Sequence, residues 1–247
     1  MVTPEQLCQF REQGFFITEP LFDDATLDAL IGECEGVREA TEERLSDKRE
    51  GINLRGKRYF LAKLHEQSEL CKEVCARGPL VPMAIDLLGP EVRLYWNQAV
   101  IKPPHQGASF AWHQDTGYVP IEPQEYLTCW LALDDTTLEN GCIRIIPGSH
   151  RWGLQPHRRD ETIGDMVGYE GPDEGLPVPI RRGQVVMFSS LMLHCSGPNT
   201  SAGSRRAYVI QYCPTHAINP RSGEPWGDDL VVAAEGEPLF PPLVETG

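Results

Sequence analysis

The chain has 247 residues, 40% of them hydrophobic and 23% charged, which fits a packed globular domain and argues against a disordered one. A formal net charge of −14 argues against sequence-independent nucleic-acid binding and against anionic membrane surfaces, since both need basic surface. No run approaches a membrane span, and the polar N-terminus carries no apolar targeting segment, so a cytoplasmic protein is expected.

Thr3-Pro4-Glu5-Gln6 is a helix start, with Thr3 as cap, Pro4 at the first helical position and Gln6 closing a capping box. Leu7 and Phe10 face inward and Gly14 ends the helix. Phe15-Phe16-Ile17 reads as a short strand. A second helix is capped by Asp23 or Asp24 and carries Leu27, Leu30, Ile31, Cys34 and Val37 at helical spacing. Residues 38–58 are polar and charged, and read as a solvated loop or a mobile flap. Tyr59–Leu64 reads as a strand carrying Lys63, followed by helical stretches at Glu69–Ala76 and Pro79–Leu88.

The period then changes. Short runs rich in β-branched and aromatic residues recur at Val92–Ile101, Leu127–Leu133, Cys142–Ile146, Gln184–Phe188 and Ala207–Cys213, separated by turn residues such as Glu139-Asn140-Gly141. This is the pattern of an antiparallel sandwich or jelly roll. Residues 155–178 form a long glycine-rich break, and the segment after Pro214 reads as a tail that wraps the surface or frays. One domain over 1–247 is expected, with a helical part at 1–90, a β core at 91–214 and a tail at 215–247. The eight cysteines form no Cys-x-x-Cys and read as reduced, mostly buried thiols.

The chemistry concentrates at Trp112-His113-Gln114-Asp115. In an extended segment the side chains of His113 and Asp115 share a face, so one imidazole and one carboxylate converge. That is two thirds of the two-histidine, one-carboxylate set that holds non-haem Fe(II) with positions left open. Of the other histidines, His65, His105, His150, His157 and His216 lie in polar or turn contexts and read as exposed or capping. His194 ends an apolar run beside a turn, where a barrel mouth would lie. Arg205-Arg206 opens the next apolar strand, and a guanidinium there suits a carboxylate.

Taken with Lys102-Pro103-Pro104, Tyr118-Val119-Pro120, Asn140-Gly141-Cys142, Pro147-Gly148-Ser149-His150, His194-Cys195-Ser196-Gly197-Pro198-Asn199 and Arg205-Arg206-Ala207, the chain resembles the phytanoyl-CoA dioxygenase family of Fe(II)- and 2-oxoglutarate-dependent oxygenases, from the first helix to about Pro214. The resemblance implies a double-stranded β-helix (a mainly β, cupin-like jelly roll with flanking helices). It implies His113, Asp115 and His194 as iron ligands, and Arg205 as partner of the distal carboxylate of 2-oxoglutarate, with O2 as the other co-substrate. Arg206, next along the strand, would point away. Ser196, Trp130, Gln98 and Lys63 match positions that line the co-substrate pocket in relatives; Trp130 also reads as a core aromatic and Lys63 as a surface lysine. Halogenating relatives carry a small residue where Asp115 stands, so halogenation is not expected.

The resemblance also implies hydroxylation or oxidative cyclisation at an unactivated C–H bond of a small molecule, by a monomer or homodimer. Family breadth and the acidic composition point to a polar or glycosylated specialised metabolite, as in antibiotic biosynthesis. The basic pairs and clusters at Arg55/Lys57/Arg58, Arg158/Arg159 and Arg181/Arg182 read as solvated surface. The rival readings are an acyl-CoA or amino-acid hydroxylase of the same family, a cupin-like metal-dependent isomerase or lyase, and a non-catalytic metal-binding module; Arg205 counts against the isomerase or lyase.

Overall fold

The computed structural model describes residues 1–45, 49–162 and 164–243. Helix α1 (Pro4–Gln13) leads into β1 (Phe15–Ile17) and α2 (Asp24–Arg44), then a small hairpin of β2 (Arg49–Glu50) and β3 (Asn53–Leu54), then β4 (Tyr59–Ala62). Helices α3 (Glu69–Arg77) and α4 (Leu80–Leu88) follow. The β half runs through β5 (Val92–Lys102), β6 (Phe110–His113), β7 (Leu127–Ala132), β8 (Ile143–Ile145), β9 (Arg158–Arg159), β10 (Met166–Val167), β11 (Leu176–Val178), β12 (Val185–Ser189), β13 (His194–Ser196) and β14 (Arg205–Pro214). It closes with β15 (Val231–Ala234) and β16 (Glu237–Pro238). Among the described residues no helix is long and apolar enough to cross a membrane.

The capping box at α1 forms as the sequence predicts: Gln6 N–H donates to Thr3 Oγ1 (3.2 Å) and Thr3 N–H donates to Gln6 Oε1 (3.0 Å). Gly14 caps the helix at φ +83°, and a side chain there would strike Met192 and His150. Asp23 caps α2 through Thr26 N–H at 2.7 Å. This helix runs on through residues expected as loop. Arg38 bridges Glu35 and, at 2.6 Å, Glu42, and such one-turn pairs hold a polar stretch helical. The part of the expected loop at 46–48 lies outside the described residues.

Two antiparallel sheets make the jelly roll. The larger runs β1-β12-β7-β14-β5-β15-β16, with β4 also on β5; the smaller runs β11-β8-β13-β6. Alternation divides the large sheet cleanly. Leu127, Cys129 and Leu131, with Tyr208, Ile210 and Tyr212, pack against α2, α3 and α4 in one core. Trp130, Ala132, Ala207 and Val209 pack the other way, onto Ile143, Ile145 and Val178 of the small sheet. A sheet covered on both faces explains why its strands read as near-continuous apolar runs.

Three expectations are corrected. β4 stops at Ala62, because Lys63 takes a left-handed backbone (φ +54°). The 155–178 break carries β9, β10 and β11 and is pinned by a buried carboxylate, Asp165. The segment after Pro214 does not fray within the described residues: β15 pairs with β5, Val231 opposite Arg93. All eight cysteines are free thiols, six of them buried.

Candidate active site

β6 and β13 are neighbours in the small sheet, and His194 lies directly across from His113 with ring centroids 4.2 Å apart. Gln114 is extended (φ −110°, ψ 139°), which returns Asp115 to the face His113 occupies. Asp115 Oδ1 stands 3.5 Å from His194 Nε2 and 3.8 Å from His113 Nε2.

The surroundings fix which atoms are free. His113 Nδ1–H donates to the Ala111 carbonyl (2.7 Å) and His194 Nδ1–H to the Met192 carbonyl (3.0 Å). A carbonyl only accepts, so each Nδ1 carries its hydrogen and each Nε2 presents a lone pair to the centre. Asp115 Oδ2 accepts from the Thr128 hydroxyl (2.6 Å) and the Gln211 amide (2.9 Å), which leaves Oδ1 facing the two imidazoles. Burial first, then the neighbouring His194, pull His113 down to about 4, so it is a neutral ligand at neutral pH. Two imidazoles and a carboxylate, each oriented from behind, fit Fe(II) with coordination positions left open.

Gln114 is the mount between the two ligands. Fully buried, it donates to Leu191 O (2.6 Å) and Gly153 O (2.9 Å) and accepts from Gln155 N–H (2.7 Å). Its own N–H donates to His157 Nε2 at 3.0 Å. His157 is therefore not the exposed histidine the sequence suggests. It is wedged where a Cβ at Gly117 or Gly168 would come within 2.4 or 2.3 Å of its ring.

At the opposite end of the site Arg205 is buried, its guanidinium 5.4 Å from the Trp130 ring. Its Nε and Nη1 have no hydrogen-bond partner among the described residues. Burial brings it down to about 10, so it stays charged at neutral pH. Arg206 points away, as expected, onto Asp134 at 2.6 and 2.8 Å. Across the strand from Arg205 lies Lys102, also buried, whose Nζ donates to Ser196 Oγ (2.7 Å) and to the Gly197 carbonyl. Burial, then Arg205, push this lysine well below its ordinary range.

A cavity of about 520 Å³ gathers the eight site residues named from the sequence: His113, Asp115, His194, Arg205, Ser196, Trp130, Gln98 and Lys63 all line it. Lys63 stands at the rim rather than beside Arg205. It is 2.7 Å from Glu66, with its Nζ 5.8 Å from the centre of the Trp96 ring.

The sequence reading gave Lys102, Thr128, Gln211 and His157 no role in the site. A signal existed for Gln211, a polar residue in an apolar strand with the parity of Arg205. Two further readings are corrected. Arg58 is not solvated: it is buried, paired with Asp165, and donates to Ile52 O and Ser109 O, both at 2.8 Å. His65 is not exposed: Asn97 Oδ1 accepts from Tyr208 Oη (3.0 Å) and from the His65 backbone N–H (3.2 Å), so its amide donates to His65 Nδ1. His65 Nε2–H then donates to Asp228 at 2.8 Å. With both ring nitrogens used, the His65–Glu66–Asp228 group is a hydrogen-bonded relay rather than a second metal site.

Fold and site together define a non-haem iron, 2-oxoglutarate-dependent oxygenase. The chain belongs to the phytanoyl-CoA dioxygenase family, whose model matches residues 10–207. It is 25% identical to phytanoyl-CoA dioxygenase domain-containing protein 1 of Mus musculus, over 98% of both chains. It is 31% identical to a probable alpha-ketoglutarate-dependent hypophosphite dioxygenase of Stutzerimonas stutzeri, over 67% of this chain and 61% of that one. The alpha-ketoglutarate-dependent carbocyclase SnoK from nogalamycin biosynthesis shares the fold, with a TM-score of 0.74 and 22% identity over 93% of this chain and 95% of that one.

Proposed function

We propose that His113, Asp115 and His194 hold Fe(II), and that Arg205 binds the distal carboxylate of 2-oxoglutarate, in an enzyme that oxidises a C–H bond of a small specialised metabolite. The observation that carries the reading is Arg205. A buried guanidinium with two unpartnered N–H groups, on the cavity that holds the triad, is costly unless an anion completes it. A cupin-like isomerase or lyase has no use for that clamp.

Bound at the triad, iron(II) and 2-oxoglutarate supply oxidative activation of O2, with succinate and CO2 as by-products. The chain's own residues set the stage. The carbonyl partners of His113 and His194 hold each Nδ1–H and turn each Nε2 to the centre. Thr128 and Gln211 keep Asp115 aimed. Lys102 Nζ donates to Ser196 Oγ, so the Ser196 oxygen is used as an acceptor and its hydroxyl proton is directed into the cavity toward the co-substrate. Trp130 covers the face of Arg205 and excludes water from the clamp. Gln98, held by Trp96 Nε1 at 2.5 Å, forms part of the wall between co-substrate and substrate. The kinship of fold with a carbocyclase of antibiotic biosynthesis supports a biosynthetic role, by hydroxylation or ring closure.

The test is anaerobic addition of Fe(II) and 2-oxoglutarate to the metal-free protein. A visible charge-transfer band, followed by succinate formation in air, is expected. Absence of both overturns the reading.

A further inference from the structure

The inner face of β5 changes parity partway along. Ala99 and Ile101 turn toward the helices, as Leu94 does, while Trp96, Gln98 and Val100 line the cavity. The switch is a bulge: Gln211 pairs with Trp96 but Tyr212 pairs with Leu94, so Tyr95 is the extra residue. In a regular strand Tyr95 and Trp96 would face opposite ways; here both line the cavity. Tyr126, from the segment before β7, packs on Tyr95 with centroids 4.4 Å apart. Trp226, from the segment after β14, donates its indole N–H to Tyr95 Oη at 3.0 Å. Four rings from three separate segments thus form one wall, locked by a ring contact and a hydrogen bond. Trp96 lies opposite Gln211, which donates to Asp115, while Arg205 lies opposite Lys102 at the far end of the same two strands, so the wall stands on the carboxylate side of the site, away from the clamp.

The charges around this wall narrow the ligand. Of the cations lining the cavity among the described residues, Arg205 lies at the inner end and Lys63 is engaged by Glu66 at the rim; Arg159 is the third, and Asp228 brings a negative charge beside Lys63. Among the described residues that is too little free positive charge for the diphosphate and 3′-phosphate of an acyl-CoA. At the rim Lys63 and Asp228 stand together, 3.9 Å apart, and offer a polar edge of both signs.

We infer that the substrate is a flat, ring-bearing molecule without phosphate, which lays its ring face on the wall of Tyr95, Trp96, Tyr126 and Trp226 and turns a polar edge, such as a sugar or hydroxyls, to Lys63 and Asp228. This rests on the oxygenase reading above. Flat rings gain from such a wall through area and quadrupole contacts that a linear chain cannot match.

The probe is 4-methylumbelliferyl β-glucoside, with octyl β-glucoside (the same sugar on a linear chain) and octanoyl-CoA as comparisons. Binding is measured by anaerobic equilibrium dialysis on full-length protein loaded with Fe(II) and 2-oxoglutarate. The umbelliferyl probe should bind about tenfold more tightly than either comparison. Trp226→Ala should cost it about tenfold, Trp226→Phe much less, and both should keep the 2-oxoglutarate band. Equal or tighter binding of octyl glucoside or octanoyl-CoA overturns the inference. So does no umbelliferyl binding, or binding indifferent to Trp226→Ala, on protein that shows the band. Failure of the band itself strikes the oxygenase reading instead.

Discussion

Arg205 and Lys102 face each other across β14 and β5, both buried, and no carboxylate among the described residues bonds either one. Two cationic side chains directly opposite on a sheet disfavour each other's charge, and burial adds to that, which is why Lys102 is pushed well below its ordinary range. The pair makes physical sense as the floor of an anion site that folding alone leaves incomplete.

Arg205→Ala should therefore raise the 2-oxoglutarate requirement about 100-fold, since a buried charge-assisted pair is lost, while iron affinity moves by less than about threefold. Isothermal titration with 2-oxoglutarate, set beside an iron titration, checks this. Equal loss of both ligands would remove Arg205 from the clamp.

Lys102→Met should weaken 2-oxoglutarate about tenfold, because Ser196 loses the donor that directs its hydroxyl. Ser196→Ala should do much the same, and the double variant should cost little more than either single one. Full additivity would mean that the two side chains act independently.

Asp115 keeps its aim through Thr128 and Gln211. Gln211→Leu or Thr128→Val should lower iron affinity roughly 10- to 100-fold, the usual cost of removing a partner behind a metal ligand. The shape of the far-ultraviolet circular dichroism spectrum should not change. Competition with a chelator measures the affinity, and an unchanged value would show that Asp115 is held by its backbone alone.

Much of this was legible in the sequence because it is written in short-range chemistry. The capping box at Thr3, the helix stop at Gly14 and the apolar strands follow from local rules, and His113 and Asp115 share a face by period alone. What the sequence hides depends on chain that returns from far away. Arg58 reads as surface charge until Asp165, more than a hundred positions on, comes back to neutralise it. His157 reads as a loop histidine until Gly117 and Gly168 are seen to make room for its ring. Tyr95 and Trp96 read as alternating residues until the bulge puts them side by side. Polar positions 38–44 read as loop because propensity does not show the pairing of Arg38 with Glu35 and Glu42.

In chelator the metal-free chain should lose stability on acidification. His113 titrates near 4 when folded, against an ordinary 6.5, so between those values the unfolded chain holds the extra proton. Its contribution is complete above pH 6.5 and is lost as the pH falls toward 4, by up to about 3 kcal/mol. Urea melts at pH 7.5, 6 and 5 should show this slope. His113→Gln should flatten it, and a wild-type slope in that variant would assign the loss to other groups.

Arg58 and Asp165 tie the 155–168 segment to the site. Asp165 Oδ2 accepts from Ala111 N–H at 3.0 Å, and the Ala111 carbonyl in turn accepts from His113 Nδ1. Removing one partner of a buried pair strands the other charge, at about 3–5 kcal/mol. Arg58→Met should therefore destabilise the protein by that order in urea melts. Asp165→Leu combined with Arg58→Met should recover much of the loss, because neither charge is then left alone. The double variant should still bind iron more weakly than wild type, since Ala111 N–H loses its acceptor and the His113 ring loses its firm seat. Wild-type iron affinity in a well-folded double variant would show that the pair serves stability only.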